Sequence, residues 1–142
     1  MPIEEANGLK LHTQHLTGGD DTGRRPQVVM LHGLVIDNLS SWYYTIAPAV
    51  AMHADVYLID LRGHGRTDMP ATGYTVEDNV DDLVALLDQW GIHEPVHLFG
   101  NSFGGVVSLA LAHRHPERVA SLFLIEAHFA VEGWGEQMAG SL

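Results

Sequence analysis

Short apolar runs alternate with amphipathic segments along most of the chain. Four runs lack polar alternation and are bounded by Gly, Pro or charged residues, which predicts strands covered on both faces. Between them, apolar residues recur every three or four positions, as they do along one side of a helix. This alternation implies parallel strands joined by crossover connections. The four predicted strands cover residues 28–31, 56–59, 96–99 and 119–125.

The clearest helical pattern covers residues 75–90. Thr75 is followed three positions later by Asp78, a spacing that resembles a capping box at a helix N-terminus, and Gly91 supplies a C-terminal stop. The segment is therefore predicted to be an amphipathic helix with a single apolar stripe, formed by Val80, Leu83, Val84, Leu87 and Trp90.

Two further helices are predicted over residues 41–52 and 103–115. Before the first buried strand, an Asn-Gly turn signal at residues 7–8 is followed by rough alternation of apolar and polar residues, which indicates an antiparallel hairpin. Together these elements predict one α/β domain over residues 1–142, built as a doubly wound, mostly parallel sheet.

The composition narrows the possible partners and compartments. Of the 142 residues, 46% are hydrophobic, and 18 acidic against 7 basic residues give a net charge of −11, which disfavours nucleic acid and anionic membranes as partners. No apolar run is long enough to span a membrane, and the absence of cysteine excludes disulfides and thiolate zinc sites, so we expect a cytoplasmic protein. Acidic residues expected to lie on the wet side of the 75–90 helix are Glu77, Asp78, Asp81, Asp82 and Asp88.

A glycine-rich turn follows the third predicted buried strand. That strand runs through Gly100, Ser102 and Gly104 directly into a helical segment, with no room for an ordinary loop. A residue at the apex of such a turn has a strained backbone that holds its side chain out of the sheet, and flanking glycines avoid collisions there. The spacing predicts Ser102 as a nucleophile. The alternative is that Ser102 only caps the following helix.

The loop after the first predicted buried strand carries a candidate oxyanion hole. Glycine at position 33 would let the chain turn so that the backbone N–H of Leu34 faces the cleft. With the N–H of Phe103, the residue after the nucleophile, it could bind the negative oxygen of a tetrahedral intermediate. We expect His32 to hold this loop by hydrogen bonds, with a role as catalytic base as the alternative.

The turn after the second predicted buried strand, residues 60–66, contains two glycines and alternating charges. Such a turn could cradle phosphate, but its spacing matches neither a dinucleotide-binding fingerprint nor a P-loop. We therefore interpret it as a tight structural turn in which Asp60 pairs with Arg62, with nucleotide binding as the alternative.

The three turn motifs, Leu31-His-Gly33, Asp60-Leu-Arg-Gly-His-Gly65 and Gly100-Asn-Ser-Phe-Gly-Gly105, resemble in order and spacing the alpha/beta-hydrolase superfamily. The resemblance covers nearly the whole chain and implies a catalytic triad completed downstream of Ser102. That superfamily usually carries its acid after the seventh strand and its histidine after the eighth, whereas residues 119–125 form the sixth by our count. We expect the fold to be truncated after about the sixth strand, with residues 131–142 beginning the lid region.

Glu126 and His128 follow the sixth predicted strand. Some members of the superfamily, haloalkane dehalogenases among them, resemble this chain in placing their acid there, which makes Glu126 a candidate triad acid; a buried or paired glutamate is the alternative. His128 could serve as general base only through an unusual loop. The remaining histidines are predicted to lie far from Ser102.

These residues predict a serine hydrolase that acts on an ester, thioester or related carbonyl of a small-molecule substrate through an acyl-enzyme. Neither a metal nor an organic cofactor is expected, and carbon–carbon bond hydrolysis and perhydrolysis remain open. Without a base to accept its proton, Ser102 is a poor nucleophile, so the chain alone is expected to be nearly inactive.

The rival interpretation is a non-catalytic interaction module. A sixth strand exposed as a sheet edge would favour self-association or pairing with a complementing C-terminal half. The aromatic residues at positions 42–44 indicate either a substrate wall or, more simply, part of the core.

Overall fold

A six-stranded sheet forms the centre of the computed structural model, which describes residues 2–18 and 23–127. The strand order is β1-β2-β4-β3-β5-β6, with β3, β4, β5 and β6 parallel and β1 and β2 antiparallel to their neighbours. The strands are β1 (Ile3–Ala6), β2 (Leu9–Leu16), β3 (Gln27–Leu31), β4 (Asp55–Ile59), β5 (Val96–Asn101) and β6 (Val119–Ile125). The helices are α1 (Ser40–Tyr43), α2 (Ala47–Ala51), α3 (Val76–Gln89) and α4 (Phe103–Arg114).

The predicted N-terminal hairpin is confirmed as β1 and β2. Asn7 and Gly8 form its two-residue turn with φ angles of 50° and 75°, the left-handed backbone that such turns require. The second strand continues beyond the hairpin and pairs with β4. The hairpin thus closes one side of the parallel sheet.

The two faces of the sheet carry separate apolar layers, as expected of a doubly wound fold. On β3, Val28 and Met30 pack with residues of α1 and α2, whereas Val29 and Leu31 pack with residues of α3 and α4. Alternate residues of one strand therefore enter opposite cores, which explains the apolar runs without polar alternation.

The capping box of α3 is also confirmed. The Thr75 hydroxyl oxygen accepts from the Asp78 N–H at 3.1 Å, and the Thr75 N–H donates to the Asp78 carboxylate at 3.0 Å. Gly91 follows the helix with φ of 70°. No helix in the described part of the chain is long and apolar enough to cross a membrane.

The single helix predicted over residues 41–52 is wrong, because the segment forms two short helices. The first, α1, ends at Tyr43, and α2 begins at Ala47 with Pro48 in its first turn. Proline has no N–H to donate to the preceding turn, and its ring opposes continuation of a helix from that turn. A new helix therefore starts at this position.

The predicted solvent face of α3 needs one correction. Glu77, Asp81 and Asp88 are exposed as expected. Asp82 is instead only 4% exposed, and its carboxylate accepts hydrogen bonds from Arg62 Nε at 2.8 Å and Nη2 at 2.7 Å. The buried ion pair therefore joins α3 to the turn after β4.

Candidate active site

Ser102 lies at a sharp turn between β5 and α4. Its φ of 50° and ψ of −117° are rare for a residue with a side chain, a conformation that costs about 1–3 kcal/mol. Two hydrogen bonds stabilise it: the Ser102 N–H donates to the Ile125 carbonyl at 2.8 Å, and the Gly105 N–H donates to the Ser102 carbonyl at 2.9 Å. The neighbouring strand and the first turn of α4 therefore hold the strained backbone.

Steric crowding explains the glycines on either side of Ser102, as the spacing predicted. A Cβ atom at Gly104 would overlap the Leu31 carbonyl and lie 2.6 Å from the His32 carbonyl oxygen. A Cβ atom at Gly100 would lie 2.6 Å from the Gly104 carbonyl oxygen. Real Cβ atoms do not approach oxygen so closely, so side chains at these positions would force the turn open.

The alternative that Ser102 merely caps α4 is wrong. Although the residue occupies the N-cap position, its side chain makes no capping hydrogen bond. The Ser102 hydroxyl has no hydrogen-bond partner among residues 2–18 and 23–127, and the residue is half-buried. The hydroxyl is therefore free to meet a substrate.

The loop after β3 lies directly against this turn. A Cβ atom at Gly33 would lie 3.4 Å from Ser102 Cβ, so the glycine brings the two strand ends into contact. Leu34 is 50% exposed, and within the described residues neither its N–H nor that of Phe103 has a hydrogen-bond partner. Unpaired N–H groups beside a serine hydroxyl are the kind of donor that an oxyanion hole requires.

His32 is fully buried and holds the loop as predicted. Its Nδ1 lies 2.6 Å from the Gly33 carbonyl oxygen, and its Nε2 accepts from the Leu61 N–H at 2.9 Å. These contacts require the neutral ring with the proton on Nδ1, and burial lowers the pKa of His32. With both nitrogens engaged, the ring is unsuited to the alternative role of catalytic base.

Asp37 is a loop-forming residue that the sequence interpretation missed. Its carboxylate accepts from the N–H groups of Gly33 at 2.7 Å and Asn38 at 2.9 Å, and from the Ser41 hydroxyl. Burial by itself would raise the pKa of Asp37, but the hydrogen bonds from Ser41, Gly33 and Asn38 outweigh it and keep the pKa below its ordinary value. An Asp-Asn pair after a glycine, a common turn signal, could have indicated this role.

The predicted pair between Asp60 and Arg62 is wrong. The Asp60 carboxylate lies 2.7 Å from His12 Nδ1 and accepts from the N–H groups of Leu39 at 2.8 Å and Arg66 at 2.9 Å. Arg62 instead pairs with Asp82. The turn carries these two side chains to different neighbours, one towards β2 and α1 and the other towards α3.

Glu126 follows β6 at the end of the sheet that carries Ser102. It is exposed, has φ of 49°, and its carboxylate has no partner within the described part of the chain. Its neighbours touch the turn, because the Ile125 carbonyl accepts the Ser102 N–H and Ala127 faces Gly105. His128 and the predicted lid region, residues 131–142, lie outside the described residues.

Comparison with known proteins agrees with this geometry. A profile of the alpha/beta hydrolase fold matches residues 26–140, so the chain belongs to the alpha/beta-hydrolase family. It is 34% identical over 125 residues to epoxide hydrolase 2 of Siraitia grosvenorii, an alignment that covers 87% of this chain and 37% of that protein. It is 38% identical over 110 residues to 2-hydroxy-6-oxo-2,4-heptadienoate hydrolase of Pseudomonas putida, covering 75% of this chain and 39% of that protein.

The structural comparison supports the same family. The crystal structure of the enol-lactonase from Burkholderia xenovorans LB400 has a TM-score of 0.76 and 31% identity, covering 85% of this chain and 45% of that one. The chain thus spans less than half the length of these three relatives. Their names cover different hydrolytic reactions, so what they share with this chain is the family.

Proposed function

We propose that the chain supplies the nucleophile and oxyanion hole of a serine hydrolase that acts on an ester, thioester or related carbonyl of a small molecule. The observation that carries this proposal is the backbone conformation of Ser102 together with its unpaired hydroxyl. Its backbone is held in a strained conformation, and its hydroxyl is unpartnered within the described residues beside the Gly33 loop. Strain of this kind concentrates at functional sites.

The reaction follows from these groups. Ser102 Oγ attacks the carbonyl carbon and its proton passes to a general base, while the carbonyl oxygen becomes an oxyanion that accepts from the N–H groups of Leu34 and Phe103. The intermediate collapses, the bond to the leaving group breaks, and the leaving group takes the proton. Water then releases the acyl group by the same steps. One such donor is typically worth about two to three orders of magnitude in rate.

The nucleophile distinguishes between the reactions named among the relatives. Members of the superfamily that open epoxides or remove halogen use aspartate at this turn, whereas this chain has Ser102. A hydroxyl forms an acyl-enzyme with a carbonyl substrate, which supports acyl transfer to water over epoxide opening. Carbon–carbon bond hydrolysis would use the same residues.

We assign Glu126 the role of triad acid because of its position in the fold. It follows β6, the strand next to β5, and its free carboxylate stands one residue beyond the carbonyl that binds Ser102. It would orient a histidine contributed from outside the described residues. In a complemented enzyme, Glu126→Gln should lower kcat by at least about a hundredfold, while Glu117→Gln, an exposed control, should not. Activity of Glu126→Gln within twofold of the parent would exclude the assignment.

Covalent labelling tests the central proposal. The chain should react slowly with a fluorophosphonate probe, and faster when a polypeptide supplying the family's last strands is added, because a base then accepts the proton. Mass spectrometry should place the label on Ser102, and Ser102→Ala should abolish it while the exposed control Ser121→Ala should not. No labelling even with the complement would exclude an activated serine.

A specific observation favours a second candidate, an interaction module. β6 is the outermost strand of the described sheet, and its Phe123 and Ile125 are 50% and 37% exposed. An apolar edge strand supports pairing with a complementing C-terminal half or a second copy. Sedimentation should then show a dimer or a complex that Phe123→Lys disrupts; a monomer that also fails to bind the complement would exclude this function.

A further inference from the structure

A cavity that Ser102 does not line lies beside the sheet. Its volume is about 260 Å³, and it is bounded by β2, α1 and the turn after β4. We name it the β2 cavity and define it by His12, Tyr43, Tyr44, Asp60 and Arg66. Ser102, Gly33, Leu34 and Phe103 are not among its lining residues.

A buried imidazole, that of His12, lines the β2 cavity and has one ring nitrogen held closely by a carboxylate. His12 is 3% exposed, and its Nδ1 lies 2.7 Å from the Asp60 carboxylate. Because a carboxylate only accepts, the proton of this contact belongs to His12 Nδ1. The polar atom that His12 can offer to a ligand is therefore Nε2, which the Gln14 amide approaches only at a long 3.5 Å.

Aromatic side chains form a wall of the β2 cavity. The rings of Tyr43 and Tyr44 meet edge to face, with centroids 5.0 Å apart. Tyr44 is 81% exposed, so it contributes little to the core. Tyr43 is partly buried against the core and supports the exposed ring of Tyr44, an arrangement that suits stacking against a planar ligand.

The charge of the β2 cavity favours an anion. Asp60 is the acidic lining residue, and its carboxylate is already engaged by His12 and by the N–H groups of Leu39 and Arg66. The Arg66 guanidinium is exposed and has no hydrogen-bond or ion-pair partner within residues 2–18 and 23–127. An unpaired guanidinium binds carboxylates well because its fork of donors matches two oxygens.

We propose that the β2 cavity binds a small aromatic carboxylate that also carries a hydroxyl. The carboxylate pairs with Arg66, the ring packs against the tyrosines, and the hydroxyl donates to His12 Nε2. The volume lies below the usual range of about 300–1,000 Å³ for drug-sized ligands, which limits the ligand to a single ring. This binding does not depend on the chemistry proposed for Ser102.

Titration with 4-hydroxybenzoate, followed by amide shifts in NMR spectra, tests the proposal. Binding should saturate with Kd of about 1 mM and shift the amides of Leu39 and Gly65. Arg66→Gln should weaken it about tenfold, whereas Arg24→Gln, an exposed arginine elsewhere, should change Kd less than about twofold. Phenol, which lacks the carboxylate but keeps the hydroxyl, and 4-methoxybenzoate, which lacks the hydroxyl donor, should each bind about tenfold more weakly.

Several outcomes would overturn the proposal. One is an absence of saturable shifts up to about 20 mM. Another is an equal Kd for the Arg66→Gln and Arg24→Gln variants. A third is a set of shifts centred on Gly33 and Phe103. The last result would place the ligand at the Ser102 site instead. Ser102→Ala should leave Kd unchanged, so loss of fluorophosphonate labelling and loss of carboxylate binding are separable.

Discussion

Two glycine-rich turns follow β4 and β5, the strands on either side of β3. They differ in whether their polar side chain has a hydrogen-bond partner. After β4, Asp60 is 2% exposed and its carboxylate is engaged by His12, Leu39 and Arg66. After β5, Ser102 has a positive φ without being glycine, and its hydroxyl has no partner within the described residues.

The difference separates a turn that is satisfied within the structure from one that we propose to serve catalysis. Around Asp60, the required positive φ angles are carried by Gly63 and Gly65, so the backbone is relaxed and the polar group is satisfied. Around Ser102, a residue with a side chain carries the strain and keeps its hydroxyl available. The combination of backbone strain and an unused hydroxyl is the feature on which the proposed role of Ser102 rests.

Removal of the Asp60 carboxylate should have the largest effect on stability. Asp60→Ala leaves a buried imidazole and two N–H groups without their acceptor, which should lower the free energy of unfolding by about 3–5 kcal/mol. Asp68→Ala, in the same turn, removes an exposed carboxylate that accepts from the Lys10 N–H at 2.9 Å, and should cost less than about 1 kcal/mol. Urea unfolding measures both, and equal losses would contradict the structural role of Asp60.

Crowding at the Ser102 turn should have the next largest effect. Gly104→Ala places a Cβ against the Leu31 and His32 carbonyls and should lower the free energy of unfolding by about 2–3 kcal/mol. Gly91→Ala meets nothing within 4 Å and has only its φ of 70° to oppose it, so about 1 kcal/mol is expected. If the two variants unfold at the same urea concentration, close packing does not shape this turn.

Relief of the strain at Ser102 should stabilise the chain. Ser102→Gly suits a φ of 50° and should raise the free energy of unfolding by about 1 kcal/mol. Ser102→Ala keeps the Cβ and loses no hydrogen bond, so it should stay within about 0.5 kcal/mol of the parent. Thermal or urea unfolding checks both, and a destabilised glycine variant would argue against a strained serine.

The smallest effect concerns the pH dependence that comes from His32. Burial keeps its folded pKa below the unfolded value of about 6.5, so the unfolded chain binds more protons as the pH falls. The stability contributed by the neutral ring is present above that value and is lost as the pH drops below it. His32→Asn should therefore flatten the curve of unfolding free energy between about pH 7 and pH 5. Parallel curves for parent and variant would remove His32 as the cause.

Predictability differed sharply between local and long-range features. The capping box at Thr75 and the turn at Ser102 were predictable because each is encoded by neighbouring residues whose steric and hydrogen-bonding needs are local. The burial of Asp82 was not, because periodicity places it beside Asp81 and Asp78 on a polar face and does not reveal that Arg62 lies beneath. The break at Pro48 was predictable, because proline opposes continuation of a helix from the preceding turn, but the predicted helix over residues 41–52 took no account of it.

The order of apolar runs, glycines and caps in the sequence was by itself enough to determine a doubly wound sheet with Ser102 at a strand-to-helix turn. These features depend on steric limits and periodicity that act over a few residues. Only the tertiary structure decided the partners of Asp60, the role of Asp37 and the walls of the β2 cavity. Charged and polar groups pair with groups that lie close to them in space, and the sheet brings together residues that are far apart along the chain.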